Sequence, residues 1–194
     1  MADPSPAALL HDAGMRWTVA QYERAAEAGV FDRGPRVELI QGEVVTVSPV
    51  LPPHAKAVRA LCWAAYRQLS EDQWTIGCLA PIRLHDFSAP EPDLWIAEGG
   101  GHTYDDDHPT GPELTLVVEV AGSTLAFDRT VKVPDYAAAR IEHLWLVAVP
   151  DRSVTVYTSP IPAERRYGEA SSLRPGDILV HPPTGLRLAV SELF

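Results

Sequence analysis

The sequence predicts an α/β fold, a mixed β-sheet flanked by helices with a β-rich C-terminal part. Three observations carry that expectation. Leu114, Leu116, Val117, Val118 and Val120 form a near-continuous apolar run rich in β-branched residues, as a strand covered on both faces does. Val58, Leu61, Cys62, Ala65 and Leu69 fall at helical spacing, which lays one apolar face on a sheet. Helix, hairpin, helix, several strands, helix and strand then follow in an order that suits a mixed sheet.

Taken in order, residues 1–14 read as a flexible tail, with Pro4, Pro6 and Gly14 and no periodicity. Residues 15–194 read as a single domain of ordinary size. Thr18 is a suitable N-cap for a helix over residues 19–28, which Gly29 ends. Residues 36–40 and 43–47 form a hairpin about Gly42, stopped by Ser48-Pro49. A helix over 54–69 follows Pro52-Pro53, then short strands at 74–78 and 82–84 and another at 93–97. A glycine-rich, acidic loop leads to the strand at 114–120. The next helix is expected from about residue 130 to 140, because Pro134 is tolerated only in a first turn. Strands at 144–149 and 154–157 pair across Pro150-Asp151-Arg152, and short strands near 178–180 and 186–190 close the chain.

The net charge of −10 argues against broad electrostatic attraction to nucleic acid, since phosphate contacts supply most non-specific affinity. It leaves room for a local basic groove. No apolar stretch approaches the ~20 residues that span a bilayer, and the N-terminus lacks the basic and apolar regions of a signal peptide. Cys62 and Cys78 are not in a CxxC pair and read as small core residues. A reduced, cytoplasmic setting follows as the expectation.

Glu119 stands inside the apolar run, where a carboxylate loses hydration unless a cation or donors compensate. Asp93 opens another apolar strand, and Lys132 follows the turn after the Glu119 strand. Of 16 cationic residues only Lys56 and Lys132 are lysine, and lysine offers a compact ammonium that arginine does not replace. Asp93 and Glu119 are hard oxygen donors of the kind Mg²⁺ takes, and Lys132 could orient water or offset phosphate charge. The structural alternative is a buried Glu119–Lys132 ion pair with Asp93 capping a turn. His54 is either near the active centre or a polar residue at a helix start. His102, Asp105, Asp106, Asp107 and His108 read as a solvated loop rather than a cation site.

ELIQGEVV, His54 opening a helix, EPDLWI, LVVEV, GST, Asp128, KVPDYAAA and IEHLWLV follow one another over residues 17–149. Their order and spacing resemble the Uma2 family, a group of putative restriction endonucleases with the PD-(D/E)xK nuclease fold. The resemblance implies a restriction-endonuclease-like domain that cleaves phosphodiester bonds, with Mg²⁺ or Mn²⁺ as cofactor. The implied partner is nucleic acid, DNA first. Asp93 matches the Asp of the PD element, and Glu119 the acidic residue of the second element. Both would be catalytic and hold the metal. Ala121 stands where the ordinary motif has lysine, and Lys132 resembles that lysine relocated to the following helix. Glu38 matches a family acidic position that touches the site. Asp128 and Tyr136 match recurrent positions whose expected role is fixing the helix start. Gly122 and Arg140 depart from the family's usual proline and glycine. The alternative function is a non-catalytic nuclease-fold binding or oligomerisation module, and a homo-oligomer, a dimer first, is the expected assembly.

Overall fold

The longest apolar runs form the middle of a six-stranded sheet in this computed structural model, which describes residues 16–194. The tail expected at residues 1–14 lies outside the described residues. The sheet contains β3 (Trp74–Gly77), β4 (Leu94–Glu98), β5 (Leu114–Ala121), β6 (His143–Ala148), β7 (Ser153–Ile161) and β8 (Arg166–Leu173), side by side in chain order. β5 and β6 pair in parallel and the other neighbours are antiparallel. β1 (Val37–Ile40) and β2 (Glu43–Thr46) form one separate hairpin. β9 (Ile178–His181) and β10 (Leu186–Ala189) form another.

Both faces of β5 are covered, as its continuous apolar run requires. Leu116, Val118 and Val120 pack on Ala57, Leu61 and Ala65 of helix α2 (Pro52–Gln68) and on the β9–β10 hairpin. Leu114, Val117 and Ala121 enter the opposite core with Val133, Tyr136 and Ala137. Alternation along the strand therefore turns Glu119 toward this second, helical layer. Helix α1 (Val19–Glu27) starts at Thr18, whose hydroxyl accepts from Gln21 N in a capping box. Cys62 and Cys78 are half-buried free thiols at the edge of the first core, their Sγ atoms 2.7 Å apart.

Three expectations change. Residues 82–84 make an isolated bridge from Arg83 to Thr110 instead of a strand, because Pro81 and Pro90 flank the segment and limit its ladder. β8 was not legible: Tyr167 is its buried residue and the rest is exposed or half-exposed. An edge strand held by its backbone ladder to β7 needs no apolar alternation. The helix expected at residue 130 begins earlier, as α3 (Leu125–Phe127), a π turn (Asp128–Lys132) and α4 (Val133–Ala138). Val133 N bonds Asp128 O five residues back. The wider turn shifts the ladder where Pro134 lacks a donor, so the proline need not sit in the first turn of the whole segment.

Asp135, 1% exposed, fastens α4 to its surroundings. Its Oδ1 accepts from Arg165 Nη2 at 2.7 Å and His85 Nε2 at 3.3 Å, and its Oδ2 from Ser88 Oγ at 2.6 Å. Burial opposes the charge, but hydrogen bonds from His85, Ser88 and Arg165 outweigh it and hold the carboxyl below its ordinary pKa. A depressed carboxyl stabilises the fold above its unfolded pKa, and that stability disappears as pH falls through the folded value. Asp135→Ala should cost about 2–3 kcal/mol at neutral pH, read by thermal unfolding. The deficit should shrink below about pH 4. A loss that is constant with pH would show that packing, and not charge, is what Asp135 supplies.

Candidate active site

Asp93 immediately precedes β4 and is 6% exposed. Its Oδ2 accepts from Val120 N on β5 at 2.7 Å. Its Oδ1 lies 2.8 Å from Nε2 of His54, in the first turn of α2. The hydrogen bond to Asp93 raises the His54 pKa against the opposing effect of burial. One carboxylate thus ties the central strand to the start of the long helix.

Glu119, 5% exposed, faces the helical layer from β5. Its Oε1 accepts from Lys132 Nζ at 3.1 Å and from the Tyr136 hydroxyl in a short hydrogen bond. Lys132 and Tyr136 are four residues apart, and at that spacing helical side chains share a face. The Lys132 ammonium also lies 2.8 Å from Glu38 Oε2 of β1. That contact is an ion pair without hydrogen-bond alignment, since Glu38 Oε2 has no aligned donor. Asp128, in the π turn, accepts from Thr124 Oγ1 at 2.7 Å.

Burial raises the Glu119 pKa to about 8; Lys132 lowers it, while Asp93, Asp128 and Glu38 add to the rise. Burial disfavours the Lys132 ammonium, but Glu119, Glu38 and Asp128 outweigh that effect and raise its pKa. Lys132 is therefore a fixed cation. Burial, followed by the Glu119 charge, raises the Tyr136 pKa and keeps its hydroxyl a donor.

Asp93, Glu119, Lys132 and Glu38 all line one cavity of about 120 Å³. Glu91 and Asp128 line it too, making five carboxylates against Lys132 and Arg36. Arg36 is itself paired with Glu91 at 3.0 Å. Glu91 falls two residues before Asp93, and along an extended chain that spacing puts both on one side. It is a residue that sequence reasoning did not single out. Tyr136, expected to fix the helix start, has its hydroxyl on Glu119 instead. His54 is near the centre through Asp93. The loop with His102 and Asp105 stays exposed, the two residues 2.9 Å apart.

Similarity to known proteins agrees with this architecture. No curated protein matches the sequence. The fold is similar to the crystal structure of a putative nuclease of the DUF820 family from Anabaena variabilis. The TM-score is 0.64 at 15% identity, over 82% of this chain and 90% of that one. The model of the Uma2 family, described as putative restriction endonuclease, matches residues 19–191. With that model matching nearly the whole chain, the protein belongs to the Uma2 family.

Proposed function

We propose that the protein is a metal-dependent endonuclease that hydrolyses phosphodiester bonds in nucleic acid, DNA being the first substrate. The observation that carries this reading is the meeting of Asp93, Glu119 and Lys132 on one cavity, from a strand entry, a central strand and a π turn.

The donor set fits a hard divalent ion. Asp93 and Glu119 supply carboxylate oxygens, and among the described residues nothing donates a hydrogen bond to Glu119 Oε2. No three donors among the described residues form a ready-made metal cage. Mg²⁺ or Mn²⁺ held by one or two carboxylates, with water and phosphate oxygens completing its shell, suits that arrangement. When bound, such an ion would neutralise the acidic cavity, polarise the phosphoryl group and activate water.

The chain's own groups take the remaining roles. Lys132, protonated and held by Glu119 and Glu38, would orient the attacking water and stabilise charge developing on the phosphate. Its raised pKa supports a role as cation over one as proton acceptor. Tyr136 would steady Glu119, and His54 would hold Asp93. A second reading, a non-catalytic nuclease-fold module, is favoured by the ion pairs that Lys132 already makes.

Two measurements separate these readings. Lys132→Ala should lose at least about a hundredfold in metal-dependent cleavage. It should also lose about 3–5 kcal/mol of stability, because buried carboxylates lose their partner. Stability alone therefore does not discriminate, and Glu119→Gln supplies the contrast. A carboxyl whose folded pKa is raised binds more protons folded than unfolded, so stability falls as pH rises from about 4.3 toward the folded value. Glu119→Gln should flatten that fall, melt no lower than wild type at pH 8, and abolish both metal binding and cleavage. Wild-type protein that binds no divalent ion and cleaves neither DNA nor RNA would leave the module reading standing.

The second measurement is calorimetric. Metal must compete with the proton that the raised pKa of Glu119 favours. Apparent Mg²⁺ affinity should therefore increase from pH 6 toward pH 8, with proton release seen as a dependence of binding heat on buffer ionisation. Affinity that is flat over this range would remove Glu119 from the ligand set.

A further inference from the structure

We propose that the outer face of α2 is a binding track for a single-stranded segment of nucleic acid, leading away from the cavity; the identity of its occupant rests on the nuclease reading. Lys56, Arg59, Trp63 and Arg67 are all exposed. At positions i, i+3, i+7 and i+11 they fall within one sector of the helix, spread over about 16 Å of its axis. Arg187 of β10 flanks them across a groove of about 700 Å³.

Four features mark this surface as built for phosphates and bases. The helix sequence PPHAKAVRALCWAAYRQ contains no acidic residue, in a chain of net charge −10, and Glu192 is the single carboxylate against four cations that line the groove. Among the described residues Lys56, Arg59, Arg67 and Arg187 have no ion-pair partner, whereas the cavity's Arg36 and Lys132 do. Trp63, between Arg59 and Arg67, is 65% exposed, and an aromatic face between cations is what unpaired bases stack on. The groove is also fixed in shape: Gln68 donates Nε2 to Arg187 O at 2.8 Å and accepts from Arg187 N at 3.0 Å, bolting the helix to β10.

The position follows the chemistry. His54 in the first turn of the same helix reaches Asp93 at 2.8 Å, and Lys56, two residues on, opens the track on the opposite face of the helix. A strand whose scissile phosphate is held by metal in the cavity would reach Lys56, and then Arg59 and Arg67, by passing round the N-terminal end of α2. A second copy of the chain fits less well, because a two-fold contact would set this cationic face against itself.

The test is binding of a fluorescent single-stranded 20-mer in Ca²⁺, measured by anisotropy for wild type, Trp63→Ala and the double variant Arg59→Ala/Arg67→Ala. Thermal unfolding checks that substitutions at the exposed Arg59, Trp63 and Arg67 leave the fold intact. Trp63→Ala should weaken binding about tenfold. The double variant should weaken it further and lower the salt slope by about 1.4, or 0.7 for each phosphate contact. Loss in these variants upholds the track even if wild type cleaves nothing, a result that would count against the nuclease reading alone. Unchanged binding in both groove variants, with cleavage intact, overturns the track and leaves the nuclease reading standing. Failure of wild type to bind the strand also overturns it. So does a fully paired duplex bound as tightly as the strand with no effect of Trp63→Ala, or a wild-type dimer that the groove variants convert to monomer without a change in binding.

Discussion

The ammonium of Lys132, held between Glu119 and Glu38, is the interaction on which the rest of the site depends. All three residues are buried, so each charge lacks most of its hydration. Taking such groups out of water costs several kcal/mol per ion, and only close partners offset that cost. The lysine comes from the π turn, one carboxylate from the central strand and the other from a separate hairpin. The ion pairs therefore tie the β1–β2 hairpin to the central strand and the π turn. They also leave a cation of fixed protonation state beside a carboxyl that is reluctant to ionise.

Around that pair the fold is organised to hold charge in place. Asp93 is pinned by a backbone amide of β5 on one oxygen and by His54 on the other. The π turn puts Lys132 and Asp128 into the cavity while Tyr136 reaches Glu119 from the next turn. π turns recur at functional sites because they re-aim side chains that a regular helix would carry elsewhere. Asp135 then anchors α4 from the other side through Arg165, Ser88 and His85. A site defined by four elements that are distant in sequence is rigid because each is held by a separate bonded contact.

The surface charge makes chemical sense in the same terms. An acidic cavity repels phosphate until a divalent ion is bound, and the unpaired cations on α2 line a separate groove. At physiological ionic strength charge acts over about 8 Å. The basic outer face of α2 can therefore act on a strand locally despite the overall −10. Arg129, the arginine nearest Lys132 in sequence, is 3.6 Å from Asp151 and does not line the cavity.

The long helix was legible in the sequence because Leu61 and Ala65 recur on a helical schedule, the central strand because its apolar run is continuous and buried on both faces, and the first hairpin because Gly42 marks its turn. Asp93, Glu119 and Lys132 stood out for the complementary reason, as ionisable residues where that schedule calls for apolar ones. β8 did not, since an exposed edge strand carries no apolar period and is held by backbone hydrogen bonds to a partner. The π turn was hidden because its signal, Pro134, equally marks the start of an ordinary helix. Only the tertiary structure decided that Tyr136 donates to Glu119, that Glu91 joins the cavity and that Glu38 shares the lysine. Such contacts join positions tens of residues apart, and sequence spacing encodes which face a residue occupies, not which distant group will meet it there.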